Sequence, residues 1–220
     1  MSKNLNKREF LRKKRLEEKR QKTQKTIVIA LAVITLIAIT ILLPNIITRD
    51  SISIEDRGFP LGNPNAPVSV VNFSSYNCGF CAEFSETTEK DLIKNYVETD
   101  DVYYRYVNLA PNEPSQNAAF ASYCAADQNL FFEYKTYLYR AASVQEGFST
   151  NNLISLAADA GLDKEAFEAC LEDNQYDDAP AKDLRYAQSL GITGTPTFLI
   201  NGQLVSSREV IPLIDSLLGR

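Results

Sequence analysis

The tetrapeptide Cys78-Gly79-Phe80-Cys81 narrows the folds open to this chain more than any other feature, because of what flanks it. Before it runs Val68-Ser69-Val70-Val71-Asn72-Phe73, an apolar segment that predicts a strand buried on both faces. After it a helical pattern continues to about Tyr96, with Phe80, Phe84, Leu92 and Tyr96 as candidate core contacts. Cys78 therefore falls at a strand-to-helix junction, where unpaired N–H groups and the positive end of the helix dipole favour a thiolate. Those effects place its pKa below the free-cysteine value of about 8.5. Far downstream, Gly194-Thr195-Pro196-Thr197-Phe198-Leu199-Ile200 carries a Thr-Pro step into a second short apolar strand. A CxxC alone suits a structural disulfide or half a zinc site equally well; this setting favours a redox-active pair.

The rest of the composition removes most competing chemistry. The chain has no histidine, which excludes His general bases, Cys–His and Ser–His–Asp nucleophiles and His-containing zinc sites. Cys124 and Cys170 stand on separate helical segments without paired ligand spacing, so a four-cysteine metal site is not expected. No metal, flavin or nucleotide motif is visible, and no cofactor is assigned.

Charge is distributed unevenly. Residues 1–25 hold eleven Lys/Arg and three Glu, leaving twelve Lys/Arg against twenty-five Asp/Glu in the remainder. So acidic a remainder argues against nucleic acid binding. Residues 26–43 (TIVIALAVITLIAITILL) are uncharged and near the minimum length for a bilayer span. The basic residues before them predict a single-pass membrane protein with a cytoplasmic N-terminus and an extracytoplasmic C-terminal portion. A cleavable signal peptide competes with this reading. The run is longer than a usual h-region, Leu43-Pro44-Asn45-Ile46-Ile47 lacks a small-x-small site, and no lipidation cysteine follows, which favours a signal anchor. Export also accommodates disulfides.

The predicted organisation is a basic segment over 1–25, the anchor over 26–43, a linker over 44–58 and a domain over 59–220. Residues 60–67 are dense in turn formers and read as a loop before the first strand, and 102–109 reads as a second strand. Helical patterns then cover 118–140, 151–160, 164–171 and 177–190. Asn201-Gly202 between two short apolar runs is a hairpin signal, and Ser206-Ser207-Arg208-Glu209 offers a capping box for a last helix. The fold class is α/β, with a helical block over about 111–190 interrupting a compact strand–helix unit.

In this pattern the chain resembles the membrane-anchored DsbA-like thioredoxin family of exported disulfide oxidases, over residues 58–218. The resemblance rests on Gly62-Asn63-Pro64-Asn65-Ala66-Pro67-Val68, the CGFC itself, Cys124-Ala125-Ala126-Asp127-Gln128 with Phe131-Phe132-Glu133-Tyr134, and Gly194-Thr195-Pro196-Thr197-Phe198. It implies a thioredoxin-like fold with an inserted helical domain and catalytic Cys78 and Cys81. It also implies a cis peptide before Pro196, with Thr195 touching substrate backbone beside the active site. Reduced exported proteins would be the substrates, and a membrane quinone-linked partner would reoxidise the pair. Two positions depart from the family pattern. Phe80 stands where many such oxidases have His, and Asn72 stands where relatives often carry a buried acid, leaving a water chain or Glu83 to serve in its place. Gly79, Phe80 and Asn72 are therefore the candidate tuning positions. Cys124 and Cys170 are either buried thiols or, more economically in an exported chain, a structural disulfide. A reductase or isomerase on the same fold, and a non-catalytic extracytoplasmic binding domain with structural disulfides, are the alternative functions.

Overall fold

The computed structural model of the protein describes residues 57–173, 176 and 178–220. The basic segment 1–25, the apolar run 26–43 and all but the last two residues of the linker 44–58 lie outside them. Among the described residues no helix is long and apolar enough to cross a membrane.

The sheet has five strands: β1 (Phe59–Leu61), β2 (Val68–Ser74), β3 (Val102–Asn108), β4 (Thr197–Ile200) and β5 (Gln203–Val205). Their order is β1-β3-β2-β4-β5. β2 runs parallel to β3, with Asn72 opposite Tyr106 and Ser74 opposite Asn108, and antiparallel to β4. Alternation sorts β2 into two faces. Val68 and Val70 join the main core with Tyr104, Tyr106, Phe84 and Phe198. Val71 and Phe73 point the other way, against Val107, Ala187 and Ile192.

Between β2 and β3 lie α1 (Gly79–Glu86), α2 (Thr88–Leu92) and a π turn over Ile93–Val97. The helix expected to continue from Cys78 to about Tyr96 is thus interrupted. At Thr87 the backbone turns to φ −116°, ψ −88°, and its hydroxyl donates to the Glu83 carbonyl at 2.7 Å. After β3 come α3 (Glu113–Asp127), α4 (Phe131–Ala141), α5 (Thr150–Asp159), α6 (Lys164–Glu172) and α7 (Ala179–Ser189). The pattern read as one helix over 118–140 is two. Asn129 adopts φ +59°, and the Leu130 N–H closes back on the Ala125 carbonyl at 3.0 Å, which ends α3. α3 to α6 form the helical insertion, while α7 supplies Ala187 to the sheet's second face. The chain ends in a 3₁₀ turn and α8 (Val210–Leu218), with Ser206 and Glu209 forming a reciprocal capping box.

β1 overlaps the start of the stretch 60–67 read as a loop. It is a three-residue edge strand containing Pro60, paired antiparallel to β3, and its Phe59 stacks on Phe131 of the insertion at 3.7 Å between ring centroids. Gly62 just beyond has φ +91°, and a Cβ there would meet the Val97 side chain at 2.6 Å. At the β4–β5 hairpin Asn201 and Gly202 both have positive φ, at 44° and 87°, which a type I′ turn requires.

Candidate active site

Cys78 is the N-cap of α1, with three residues between it and the end of β2 at Ser74. Its carbonyl accepts from the Cys81 and Ala82 N–H groups at 3.0 and 3.1 Å. Its side chain makes no capping hydrogen bond, so the thiol sits at the helix N-terminus without closing on the first turn. The side chain is half-buried, whereas Cys81, one turn in, is 1% exposed. Across the sheet, the Thr195–Pro196 peptide is cis, and Cys78 Sγ donates to the Thr195 carbonyl oxygen at 3.3 Å. The structure therefore brings Cys78, Cys81, Thr195 and Pro196 to one end of the sheet from residues over a hundred positions apart.

The two thiols have opposite acid–base character. Burial raises the Cys78 pKa, but the Thr195 side chain, the Cys81 thiol and the backbone N–H groups of Cys81 and Phe80 more than offset it, and the net shift is downward. For Cys81 burial wins, pushing the pKa up to about 12 despite contacts from Ser75, Thr195 and Ser74. A half-exposed acidic thiol beside a buried neutral one can attack, or leave from, an external disulfide, while the inner sulfur is reserved for closing the pair.

The tuning positions are placed differently from one another. Gly79 is exposed, with no atom near the position of an added Cβ. Phe80 was a candidate core contact; it is 74% exposed, because the second residue of α1 faces away from the sheet. Asn72 is buried, its amide donating to Tyr104 Oη at 2.7 Å and its carbonyl accepting from Ser74 Oγ at 2.6 Å. Glu83, the proposed stand-in for a buried acid, points to solvent. A carboxylate that is buried, and is bonded to Tyr104 as Asn72 is, is Glu89 on α2, ion-paired with Lys135 of α4, each side chain 3% exposed. Reading along the sequence missed both. Their signal is faint: Lys135 interrupts the apolar stripe Phe131, Tyr134, Leu138, and Glu89 sits one turn before Leu92 on a covered face.

Away from this centre, Cys124 of α3 and Cys170 of α6 are disulfide-bonded, with Cα atoms 5.8 Å apart. Of the aromatic residues along α3 and α4, Phe131 and Tyr134 are buried, while Phe120, Tyr123, Phe132 and Tyr137 are partly so. Asn77, the residue before Cys78, donates to Asn112 Oδ1 at 3.3 Å and so ties the active-site loop to the cap of α3. From Asn77 a groove of about 370 Å³ runs over the insertion, lined by Pro114, Ala142, Val144, Gly147 and Phe148.

Comparison with known proteins places these features in context. Residues 55–215 match the family model described as Thioredoxin. A Rickettsia prowazekii protein, named provisionally as a protein-disulfide oxidoreductase, is 24% identical over 161 residues, 70% of this chain and 58% of its own. A Na⁺/H⁺ antiporter of Salinispora tropica is 30% identical over 149 residues, 67% of this chain but 22% of its own. The chain thus spans less than two thirds of the length of these relatives. Among solved structures, oxidised BdbD from Bacillus subtilis superposes with a TM-score of 0.68 at 25% identity, over 76% of this chain and 96% of that one. The shared architecture is the α/β thioredoxin-like fold with its inserted helical region.

Proposed function

We propose, for a chain that belongs to the thioredoxin family of protein-disulfide oxidoreductases, that it is a dithiol oxidase for exported proteins acting through Cys78 and Cys81. The observation that carries the proposal is the opposed pair: a half-buried Cys78 with a lowered pKa at a helix N-cap, over a buried Cys81 with a raised one. In the oxidised enzyme a substrate thiolate attacks Cys78 Sγ, the Cys78–Cys81 bond breaks, and Cys81 leaves and takes up a proton. A second substrate thiolate then attacks the substrate sulfur of the mixed disulfide, expelling Cys78 as a stabilised thiolate. The substrate is oxidised by two electrons and the enzyme pair is reduced. The reduced pair delivers those electrons to a membrane quinone-linked partner, the assignment drawn from family resemblance.

Exposed Phe80 and the apolar groove starting at Asn77 offer surface for an extended, partly unfolded substrate near the reacting sulfur. The Thr195 backbone on the other side suits pairing with such a segment. The charge pattern of residues 1–43 supports a cytoplasmic basic segment, an anchor over 26–43 and an extracytoplasmic catalytic domain. Protease added outside wall-stripped cells should then remove the domain and spare the N-terminus; the reverse pattern refutes the topology. The catalytic assignment is tested by Cys81→Ser, which should accumulate mixed disulfides with exported proteins through Cys78. Accumulation that survives a further Cys78→Ser change would defeat it.

A further inference from the structure

The loop between α4 and α5 holds two side chains against the groove that starts at Asn77. Val144 N–H donates to the Ala141 carbonyl and Gly147 N–H to the Val144 carbonyl, each at 3.0 Å. Ser149 N–H donates to the Glu146 carbonyl at 2.9 Å, and Asn152 Nδ2 to the Gly147 carbonyl at 2.6 Å. Gly147 sits so close to α4 that a Cβ there would meet the Ala141 carbonyl oxygen at 1.9 Å. So clamped, the loop leaves Val144 62% exposed and keeps Glu146 in the left-handed region at φ +56°. Glutamate resists that conformation, because its Cβ crowds the following carbonyl oxygen, and the turn bonds on either side hold it there. Both residues line the groove together with Asn77, the neighbour of Cys78.

Charge around the reacting sulfur has one sign. Four segments frame Cys78: 74–86 carries it, 109–118 is tied to it through Asn77 and Asn112, 141–150 supplies the loop, and 190–198 holds the cis peptide. They contain Glu83, Glu86, Glu113 and Glu146 but no Lys or Arg, although residues 57–220 hold eleven. Arg140, which borders one of them, lies over the Tyr137 ring at 5.8 Å, back along α4. Glu83, Glu86 and Glu146 are exposed. Burial, Thr195, Cys81 and Phe80 set the acidity of Cys78, so the carboxylates act on what approaches the thiol. A substrate thiolate is repelled by such a rim unless its own flanks are cationic. Flanking Lys or Arg would also lower the substrate thiol's pKa and so enrich the attacking form.

We propose that the site selects cationic substrates: the groove takes an extended apolar segment of a reduced exported protein whose reacting cysteine is flanked by Lys or Arg, and Glu146 is the specificity-determining residue that meets those flanks. This names the substrate class of the oxidase reading above and rests on it.

The test uses three reduced peptides that share one apolar framework and two cysteines, with Lys, Gln or Glu on both sides of the first cysteine. Each is mixed with the oxidised full-length protein in neutral detergent, and peptide oxidation is followed by chromatography after acid quenching. In each turnover the peptide's two thiols become a disulfide and the Cys78–Cys81 disulfide becomes two thiols. Rates are divided by each peptide's thiolate fraction, titrated separately. At about 0.01 M salt, where the Debye length is about 30 Å, the Lys peptide should react about tenfold faster per thiolate than the Glu peptide, with Gln between. At about 1 M salt the ratio should fall below about twofold. Glu146→Gln should lower the low-salt ratio by about twofold, and Glu146→Lys should lower it further. Glu98→Gln should leave it alone, since Glu98 precedes β3 at the opposite end of the sheet. Equal rates for the three peptides overturn the inference, and so does a ratio that the Glu146 variants do not move. An equal fall in Glu98→Gln also overturns it, because the preference would then belong to the domain's net charge. Failure of all three peptides to be oxidised would instead bring down the dithiol-oxidase reading, and this inference with it.

Discussion

Asp183 on α7 should make this protein less stable as pH rises through the mildly acidic range. Its side chain is buried, accepts a hydrogen bond from Tyr123 Oη and lies 3.7 Å from Arg57 Nη1. Burial dominates these partners and raises the pKa from 3.8 to about 6. With the native pKa above the unfolded one, the native state holds the proton more tightly. The contribution is therefore fully present below pH 3.8 and is lost as pH rises through about 6. A shift of about two units corresponds to about 3 kcal/mol at most. Asp183→Asn keeps an acceptor for Tyr123 and removes the ionisation. Urea unfolding of both proteins at several pH values, held in one redox state, isolates the effect, since every other titration is common to the two. Relative to the variant, the wild type should lose up to about 3 kcal/mol between pH 4 and 7. Parallel stability–pH curves would show that the buried carboxylate does not titrate as argued.

Other outcomes follow from single features. Replacing Cys124 and Cys170 together by Ala opens a 46-residue loop and should cost about 4 kcal/mol by chain entropy, seen as a lower urea midpoint with disulfide exchange retained; an unchanged midpoint would contradict it. Phe80→His alters an exposed side chain beside the pair, so it should leave stability alone while lowering the pH at which the Cys78 thiolate absorbance appears. No movement of that titration would remove Phe80 from the tuning positions. Limiting iodoacetamide at neutral pH should label Cys78 well before Cys81, because the latter is buried and protonated; preferential labelling of Cys81 would reverse the proposed roles.

What could be read from the sequence is what local chemistry decides. The Val68–Phe73 run, the CGFC at its end, Asn201-Gly202 and the Ser206–Glu209 box each carry their structural instruction within a few residues, and the strands, hairpin and cap stand where those signals lie. The helical pattern over 118–140 hid its own break, since one asparagine at positive φ leaves apolar spacing nearly intact on either side. β1 was concealed by Pro60, tolerable only because the strand is an edge. The least legible part is the buried Glu89–Lys135 ion pair. Asn72 announces the absence of a carboxylate at its own position, while the carboxylate that shares Tyr104 with it comes from Glu89, seventeen residues on, and pairs with Lys135, 46 residues further. Only the fold brings them together, and a charged residue on an apolar stripe is its sole trace.

The oxidase assignment turns on how strongly the Cys78 thiolate is stabilised in the reduced protein, and the equilibrium potential of the Cys78–Cys81 pair measures that directly. The wild-type catalytic domain, equilibrated in glutathione buffers and read by alkylation of the reduced form, should sit nearer about −120 mV than about −270 mV, the strongly oxidising and strongly reducing ends of this chemistry. A potential near about −270 mV would mean that the pair donates electrons to disulfides, and the dithiol-oxidase account would be wrong.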